Sequence, residues 1–280
     1  MMNNNKVWYV TGASRGLGLS LVKQLLSAGY RVAATSRSVT DLQKAVTTSG
    51  PDAFLPLEVD LTNAEDIRRS IERTVAAFGA IDVIVNNAGY GMEGTIEEVE
   101  EEKMRAIFDI NVFATINVVK YALPYLRGQR SGYIINIASV AGFVGAPGWA
   151  IYSATKSAVI AFSEVLALDV EGLGIKVTVV GPSGFRTGFL TKDSLVSVES
   201  QIEDYQSVAR TRARYAAMDG KQDGDPEKAA ALFIRLAEDP EPPLHLWLGA
   251  NAFDRAGEKI SSLETELRRW KDLSLAAEFS

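Results

Sequence analysis

KVWYVTGASRGLG, from Lys6 to Gly18, decides the fold of this chain. Lys6–Thr11 is a short, β-rich apolar run, and the glycine-rich TGASRGLG leads from it into Leu17–Ala28, whose apolar residues have helical spacing. The glycines let the backbone turn tightly and approach a ligand where a Cβ would clash. The following helix offers unpaired N–H groups and the positive end of its dipole to a phosphate. The stretch could form only a turn, but its place between a strand and a helix predicts dinucleotide binding.

Outward from this stretch, short apolar runs alternate with helix-length segments. This alternation predicts a single-domain doubly wound α/β Rossmann fold over residues 1–280, a parallel sheet with helices on both faces. The predicted strands are Lys6–Thr11, Arg31–Thr35, Ala53–Val59, Ile81–Val85, Tyr133–Ala138, Ile175–Val180 and Leu244–Leu248. The predicted helices are Leu17–Ala28, one that ends at about Thr48, Ala64–Phe78, Ile96–Arg127 and Tyr152–Leu173.

Two regions interrupt the alternation. Residues 184–224 are far longer than an ordinary βα connection and favour a substrate loop or lid, with a harmless insertion as the alternative. Residues 251–280 read as a helical C-terminal extension, with an apolar stripe at alternating steps of three and four. Docking on its own domain is the preferred use of that stripe, and a subunit contact is the second. The stripe is Phe253, Ala256, Ile260, Leu263, Leu267 and Trp270.

Composition restricts the chemistry. The chain has 280 residues, 47% hydrophobic and 23% charged, with a net charge of -6. This balance disfavours a nucleic-acid surface or an anionic-membrane surface. No segment approaches the ~20 apolar residues of a membrane span. Because there is no cysteine, thiolate catalysis and cysteine–zinc sites are excluded, and a cytoplasmic location is expected. We expect no metal site, and the single histidine, His245, to be a packed residue of the last strand.

The end of the second strand indicates which dinucleotide is bound. An NAD site places Asp or Glu there, whereas a 2′-phosphate calls for a cation. Here the strand ends in Ser36 and Arg37, and Arg15 in the glycine turn could reach the same phosphate. We therefore expect NADP(H) to be preferred over NAD(H), with two solvated surface arginines as the alternative.

Tyr152 and Lys156 share one face of a predicted helix. Taken alone, the pair is more typical of a snorkelling lysine beside a packed tyrosine than of a device for moving protons. Placed beside a dinucleotide site, the lysine cation is expected to lower the pKa of the phenol.

Beyond these patterns, the chain resembles the short-chain dehydrogenase/reductase family. The resemblance rests on TGASRGLG, on Asp60 in VDLT, on NNAG at Asn86–Gly89, on Asn111, on Ser139, and on YSATK, all in the family's order and spacing. It is close from about Lys6 to Leu190. The glycine spacing here is GxxxGxG rather than the common GxGxxG. Ser183 departs from the glycine frequent in relatives, which places a side chain near the expected nicotinamide.

The resemblance implies an NADPH-dependent oxidoreductase that reduces a ketone or aldehyde, or oxidises a secondary alcohol. Asn111, Ser139, Tyr152 and Lys156 would form its catalytic tetrad, with Tyr152 as acid and base. Ser139 would hydrogen-bond the carbonyl oxygen, and Asn111 would hold a water of the proton path. Besides Arg37, Tyr152 and Lys156, the implied cofactor residues are Gly12, Ser14, Arg15, Gly16, Leu17, Asp60, Leu61, Asn87, Ala88, Gly89, Pro182, Gly184 and Thr187.

The substrate segments of the family are apolar in this chain, which suggests a hydrophobic or aromatic carbonyl compound. The alternative is that these side chains only pack the loops. The pocket candidates are Tyr90, Met92, Phe143, Trp149, Phe185 and Phe189.

Two alternative functions have different sequence requirements. A catalytically silent NADP-binding sensor or scaffold should lack a tetrad position, and none is missing. An epimerase or dehydratase on the extended fold needs more chain after Ser183. Relatives commonly pair the helices around Ile96–Arg127 and Tyr152–Leu173, so we expect a homodimer or homotetramer.

Overall fold

The computed structural model describes residues 6–46, 52–199 and 201–279. Its main sheet has seven parallel strands in the order β3-β2-β1-β4-β6-β7-β9. These strands are β1 (Val7–Val10), β2 (Arg31–Ser36), β3 (Phe54–Glu58), β4 (Val83–Asn86), β6 (Gly132–Ile137), β7 (Ile175–Pro182) and β9 (His245–Leu248). The predicted doubly wound α/β fold is confirmed.

Helices cover both faces of this sheet because successive residues of a buried strand point to opposite sides. Trp8 and Val10 lie in one apolar cluster, whereas Tyr9 lies in the cluster on the opposite face. The helices are α1 (Gly16–Ser27), α2 (Val39–Ala45), α3 (Ala64–Phe78), α4 (Glu101–Phe108), α5 (Ala114–Gln129), α6 (Ala150–Asp169), α7 (Gln206–Met218), α8 (Pro226–Glu238), α9 (Ala250–Arg269) and α10 (Lys271–Leu275).

The chain reverses its winding direction between β1 and β4, which are neighbours in the sheet. In open α/β sheets, ligands bind in the crevice outside the carboxyl ends of the strands at such a switch point. Here the crevice lies between the glycine turn after β1 and NNAG after β4. Thr11 closes its floor, because its N–H donates to the Val85 carbonyl at 3.0 Å.

The predicted helix over Ile96–Arg127 is corrected in two respects. Thr95–Val99 form a turn, so the first helical residue is Glu101, and Asp109–Phe113 form a π-helical segment between α4 and α5. An added residue in one turn shifts the side chains that follow it, and such segments often occur at functional sites. This one carries Asn111. The predicted helix end at Leu173 is also too late, since Gly172 and Gly174 have φ of 74° and α6 ends at Asp169.

Residues 184–224, predicted as a substrate loop or lid, contain regular secondary structure. They contain α7 and the short strand β8 (Leu195–Ser197), which pairs in parallel with β5 (Gly91–Glu93). α8 was not among the predicted helices, although Asp225–Pro226 is a recognisable helix start. Asp225 Oδ1 accepts from the Glu227 and Lys228 N–H groups at 2.9 and 3.4 Å. The predicted helix end at Thr48 lies outside the described residues.

The expectation that His245 is a packed residue fails. His245 is exposed on the edge strand, where its Nε2 lies 2.8 Å from Glu164 Oε1 and its ring stacks on Trp247. Residues Glu101–Gln129 and Ala150–Asp169 are, by length and composition, apolar enough to cross a bilayer, although no such segment was expected. Both carry residues of the apolar clusters beside the sheet, which is the pattern of core helices.

Candidate active site and dinucleotide crevice

The start of α1 is open to an anion. Its N-cap residue, Arg15, makes no side-chain cap, and its first turn holds no acidic residue. The first N–H groups of α2, α3 and α8 are capped by Ser38, Asn63 and Asp225, whereas α4, α6, α7 and α9, like α1, have no side-chain cap. The unpaired N–H groups of α1 therefore fit the phosphates of a dinucleotide.

Close packing explains why the turn before α1 needs glycine. Gly12 has φ of 64°, and a Cβ there would lie 2.8 Å from Ala88 Cα. A Cβ on Gly18 would lie 2.6 Å from Asn87 Nδ2. Asn87 Nδ2 donates to the carbonyls of Thr11 and Gly12 at 2.9 and 3.0 Å, so NNAG braces the turn from the neighbouring strand.

Other predicted cofactor residues border the same crevice. A Cβ on Gly16 would lie 3.4 Å from Thr187 Cβ, so the segment after β7 contacts the glycine turn. Leu61 and Ala88 line a narrow cleft beside Thr11. Ser14 and Leu17 are half-buried at the glycine turn, and Leu17 also packs against the core. Pro182 ends β7, and the Gly184 carbonyl accepts from the Gly224 N–H at 3.1 Å.

Arg37 and Asp60 share a cleft of about 520 Å³ that Arg69 and Arg73 also line. Asp60 Oδ1 accepts from the Thr62 N–H and Thr62 Oγ1 at 2.9 and 2.8 Å. These hydrogen bonds, helped by the charge of Arg37, lower the pKa of Asp60. The cleft carries both signs of charge, because Glu58, Asp60 and Asp66 line it together with the three arginines.

Arg15 does not reach this cleft. Its Nη2 donates to the Asp193 carbonyl at 2.6 Å, and its Nη1 lies 3.8 Å from Asp193 Oδ2. The expectation that Arg15 joins Arg37 at one phosphate is therefore not met in this conformation. Ser183 is also directed elsewhere than predicted, since its Oγ lies 3.4 Å from the Leu248 carbonyl oxygen and packs at Gly249.

Ser139, Tyr152 and Lys156 come together at the carboxyl ends of the central strands. Ser139 follows β6, and its Oγ accepts from the Ala141 N–H at 3.1 Å. α6 packs closely on this turn, because a Cβ on Gly142 would lie 2.6 Å from the carbonyl carbon of Lys156. Lys156 Nζ donates to the Ile137 carbonyl at 2.9 Å and lies 5.9 Å from the centroid of the Tyr152 ring.

Burial controls both ionisable groups of this cluster. Burial raises the pKa of Tyr152 to about 12, and a hydrogen bond with Ser139 partly offsets that effect. Burial lowers the pKa of Lys156 to about 8. The expectation of a lowered pKa for Tyr152 is not met in the protein alone, because loss of water around the phenol raises that pKa.

Asn111 connects this cluster to the substrate side. Its Nδ2 donates to the Tyr90 carbonyl at 3.0 Å and to Thr155 Oγ1 at 3.1 Å, and its Oδ1 accepts from the Tyr90 N–H at 3.0 Å. A Cβ on Gly89 would lie 3.0 Å from Asn111 Oδ1 and 3.4 Å from Lys156 Nζ. The side-chain amide of Asn111 therefore holds the chain between NNAG and β5 against α6.

An apolar cluster surrounds Tyr152 and contains four of the six pocket candidates: Tyr90, Met92, Trp149 and Phe189. The Trp149 ring lies edge-on to Tyr152 at 5.4 Å, and the Phe189 ring lies 5.8 Å from it. Phe143 instead stacks on Trp247, and Phe185 packs into the main core. The structure thus separates these two residues from the other candidates.

Sequence reasoning missed Tyr215, which belongs to the cluster around Tyr152. Its ring lies 4.9 Å from Trp149, and its hydroxyl contributes to the raised pKa of Tyr152. α7 carries Tyr215 and is held by an ion pair between the half-buried Arg212 and the buried Glu93, with Arg212 Nε 3.1 Å from Glu93 Oε1. The weak apolar stripe of α7 gives no clear helix signal in the sequence. The polar, irregular composition of residues 184–224 was therefore the only indication of a structure near the pocket.

Comparison with known proteins agrees with the geometry of the crevice and cluster. The sequence profile of short chain dehydrogenases matches residues 6–195. The oxidoreductase BOA17 of Botryotinia fuckeliana is 35% identical over 273 residues, covering 97% of this chain and 99% of that protein. The chain belongs to the short-chain dehydrogenase/reductase family of oxidoreductases.

Solved structures support the same assignment. A short-chain dehydrogenase from Streptomyces avermitilis has a TM-score of 0.90 and 34% identity, with coverage of 99% of this chain and 100% of that one. A short chain dehydrogenase from Burkholderia cenocepacia, in complex with NADP, has a TM-score of 0.74 and 25% identity over 96% and 98% of the two chains.

Proposed function

We propose that this protein reduces a ketone or aldehyde with NADPH, and that it oxidises the corresponding secondary alcohol in reverse. The observation that carries the proposal is the convergence of Ser139, Tyr152 and Lys156 beside the glycine turn and NNAG. A phenol, a hydroxyl and a cation at one place can protonate and stabilise an oxygen that gains negative charge.

Each residue of the cluster has a chemical task. NADPH supplies the hydride when bound. The Tyr152 hydroxyl donates its proton to the carbonyl oxygen, which Ser139 Oγ also hydrogen-bonds. Lys156 provides positive charge that stabilises the phenolate left behind. Asn111 positions Tyr90 and Thr155 and, by the family resemblance, holds a water of the proton path.

Arg37, directly after β2, is the residue on which the preference for NADPH over NADH rests. β2 ends without a carboxylate, and Arg37 lines a cleft that contains Arg69 and Arg73 as well as Glu58, Asp60 and Asp66. A guanidinium can bind a phosphate with two hydrogen bonds, so a 2′-phosphate fits there. The NADP complex of the Burkholderia cenocepacia relative and an NADH complex of a Brucella melitensis ketoacyl reductase support a nicotinamide dinucleotide without distinguishing the two.

The substrate we propose is an apolar carbonyl compound. Tyr90, Met92, Trp149, Phe189 and Tyr215 surround the Tyr152 ring with aromatic and thioether surface. The hydroxyl groups of a small polar sugar would find few hydrogen-bond partners on that surface.

For the assembly, we propose a homodimer or homotetramer that pairs α4, α5 and α6 between copies. Phe113 in the π-helical segment and Val165 and Leu168 on α6 are exposed large apolar residues on these helices. Apolar side chains at such positions fit a helix-to-helix contact.

The decisive experiment follows NADPH oxidation with a panel of ketones and aldehydes that differ in size and polarity. Tyr152→Phe should bind NADPH with near-normal affinity and lose most of its turnover, whereas Tyr125→Phe on α5 should behave as the parent protein. Near-normal turnover by Tyr152→Phe would contradict the mechanism. NADPH binding without oxidation by any carbonyl would favour the catalytically silent NADP-binding protein instead.

A further inference from the structure

Trp149 lies between the proposed proton donor and α7. It immediately precedes α6, and its exposed fraction is 4%. Its ring contacts the Tyr152 ring edge-on at 5.4 Å and the Tyr215 ring at 4.9 Å. Its indole Nε1–H is buried and has no hydrogen-bond partner among the residues that the structure describes. The cluster around Tyr152 thus contains a hydrogen-bond donor that the described side chains and backbone leave unused.

An unused buried donor is uncommon in a folded protein. Such a group has lost its hydrogen bonds to water and gained none in return, so native structures contain few of them. The indole N–H of a buried tryptophan usually has a partner for this reason. The unpaired state of the Trp149 N–H therefore calls for an acceptor from outside the described chain.

Position distinguishes Trp149 from Trp8, whose Nε1 also has no partner among the described residues. Trp8 is fully buried in β1, within the main apolar cluster, where a substrate arrives only if the sheet opens. Trp149 instead touches Tyr152, whose hydroxyl must meet the substrate in the proposed reaction. Phe189 and Tyr215, which also border this cluster, are only partly buried. A substrate that reaches Tyr152 therefore passes beside Trp149.

The backbone around Trp149 is fixed on both sides. The Gly148 carbonyl accepts from the Gly94 N–H at 2.8 Å, and the Trp149 backbone N–H donates to the Ala146 carbonyl at 3.1 Å. Gly148 has φ of 79°, and a Cβ there would lie 2.8 Å from Val208 Cγ1 of α7. Because these contacts hold the start of α6, the donor is in place before a substrate arrives, which lowers the cost of binding.

The chemistry of the donor restricts its partner. An indole N–H donates but cannot accept, so it recognises an acceptor atom such as oxygen. The cluster is lined by apolar and aromatic side chains, and a buried charge without a partner is costly, so the acceptor is uncharged. Lys156, the cation beside Tyr152, is already assigned to the phenolate. Since the Trp149 and Tyr152 rings are in contact, the acceptor belongs to the part of the substrate next to the reacting carbonyl.

We propose that Trp149 determines substrate specificity by donating its indole N–H to a second, uncharged acceptor oxygen of the carbonyl substrate. The inference rests on the proposed reduction of an apolar carbonyl compound and adds one polar atom to that substrate. Trp149 binds this oxygen and takes no part in proton transfer, so its contribution falls on KM more than on kcat.

Two matched pairs of ketones test this role. Ethyl 3-oxobutanoate is compared with 2-heptanone, and 1-phenoxy-2-propanone with 4-phenyl-2-butanone, so that each pair differs in its ester or ether oxygens and keeps its chain length. Trp149→Phe retains an aromatic ring and removes the N–H. For at least one oxygenated ketone, KM should rise by about tenfold in this variant, the worth of one lost hydrogen bond. KM for its plain partner should rise by about twofold at most.

Trp270→Phe is the matched control, because Trp270 lies on the apolar stripe of α9, outside the cluster. The expectation that this stripe docks on its own domain is wrong for most of its length, since each described residue from Ile260 to Phe279 is exposed. The control should change neither member of a pair.

Two kinetic outcomes are separable. Equal losses for both members of each pair in Trp149→Phe would overturn the specificity role, because Trp149 would then only pack against Tyr152. Failure of the parent protein to reduce any ketone or aldehyde of the wider panel would instead contradict the proposed function. The Kd of NADPH should be the same in Trp149→Phe and the parent, which shows that the variant is folded.

A second measurement does not use turnover. The chain has four tryptophans, and the Trp149 indole signal in a proton–nitrogen correlation spectrum is identified through its contacts with the Tyr152 and Tyr215 rings. In the presence of NADPH, 1-phenoxy-2-propanol should move this signal downfield, as a new hydrogen bond does, and 4-phenyl-2-butanol should move it less. An equal response to both alcohols would contradict the hydrogen bond, even if Trp149→Phe failed to fold.

Discussion

At the scale of single residues, burial decides what Tyr152 and Lys156 can do. On a solvated helix the two side chains would keep ordinary pKa values and form an unremarkable pair. Inside the protein, both lose water, so their neutral forms are favoured. The pKa of Lys156 falls to about 8, close to working pH, while the pKa of Tyr152 rises to about 12. Tyr152 therefore keeps its proton at neutral pH, as the proposed role of a proton donor requires.

We expect the pH profile of carbonyl reduction to follow Lys156. Below pH 8 the lysine is protonated and can stabilise the phenolate, and above pH 8 this charge is lost, so kcat/KM should decline. Lys156→Arg should move the decline to higher pH, because a guanidinium keeps its charge. Lys120→Arg on the exposed side of α5 is the control. A decline at the same pH in Lys156→Arg would exclude Lys156 as its source.

Arg37 should determine the choice of dinucleotide. Arg37→Ser removes a cation from the cleft proposed for the 2′-phosphate, so KM should rise by about tenfold or more for NADPH and little for NADH. Lys44→Ser, on the exposed side of α2, should change neither value. Steady-state kinetics with both cofactors measure the effect. Equal losses for NADPH and NADH would show that Arg37 does not read the 2′-phosphate.

At the scale of elements, α7 depends on contacts that are distant in sequence. Arg212 pairs with Glu93 of β5 and donates to the Val198 carbonyl at 2.6 Å. Glu93 is buried and also accepts from Ser197 Oγ at 2.8 Å. Through these contacts the small sheet holds α7 where Tyr215 packs on Trp149.

Arg212→Met should loosen α7. Leaving Glu93 buried without its cation costs about 1–3 kcal/mol, because hydrogen bonds to charged groups are worth roughly that much. We expect a lower free energy of unfolding and a higher KM for the carbonyl substrate, with the KM for NADPH nearly unchanged. Arg210→Met, exposed on the same helix, is the matched control. Chemical denaturation measures the free energy of unfolding, and steady-state kinetics measure the two KM values. An unchanged substrate KM would mean that α7 does not border the pocket.

At the scale of the whole molecule, the dinucleotide crevice exists only because separate strand ends meet at one edge of the sheet. The glycine turn follows β1, Arg37 follows β2, NNAG follows β4, and Thr187 follows β7. The backbone of NNAG touches the turn so closely that Gly12 leaves no room for a Cβ beside Ala88.

The stabilisation that NADPH gives on binding should therefore depend on how closely the strand ends pack at this edge of the sheet. NADPH at a hundred times its Kd should raise the free energy of unfolding of the parent protein by about 2.7 kcal/mol. Gly12→Ala should lose most of this gain, because its Cβ forces the turn away from Ala88. Gly128→Ala, with nothing within 4 Å of the added Cβ, should keep the gain. Thermal unfolding with and without NADPH makes the comparison, and equal gains in both variants would contradict the placement of the crevice.

The sequence by itself determined the alternation of strands and helices, the parallel sheet, and the positions of the glycine turn, Ser139, Tyr152 and Lys156 along the chain. The alternation, the sheet and the glycine turn follow from local properties: apolar periodicity, turn chemistry and the rule that parallel strands end at one edge. The significance of Ser139, Tyr152 and Lys156 came from the family resemblance. Only the tertiary structure decided which side chains meet. It moved Phe143 and Phe185 out of the cluster around Tyr152, turned Arg15 toward Asp193, added Tyr215 and left the α9 stripe exposed. Such outcomes depend on packing between elements far apart in sequence, for which no local pattern carries the information.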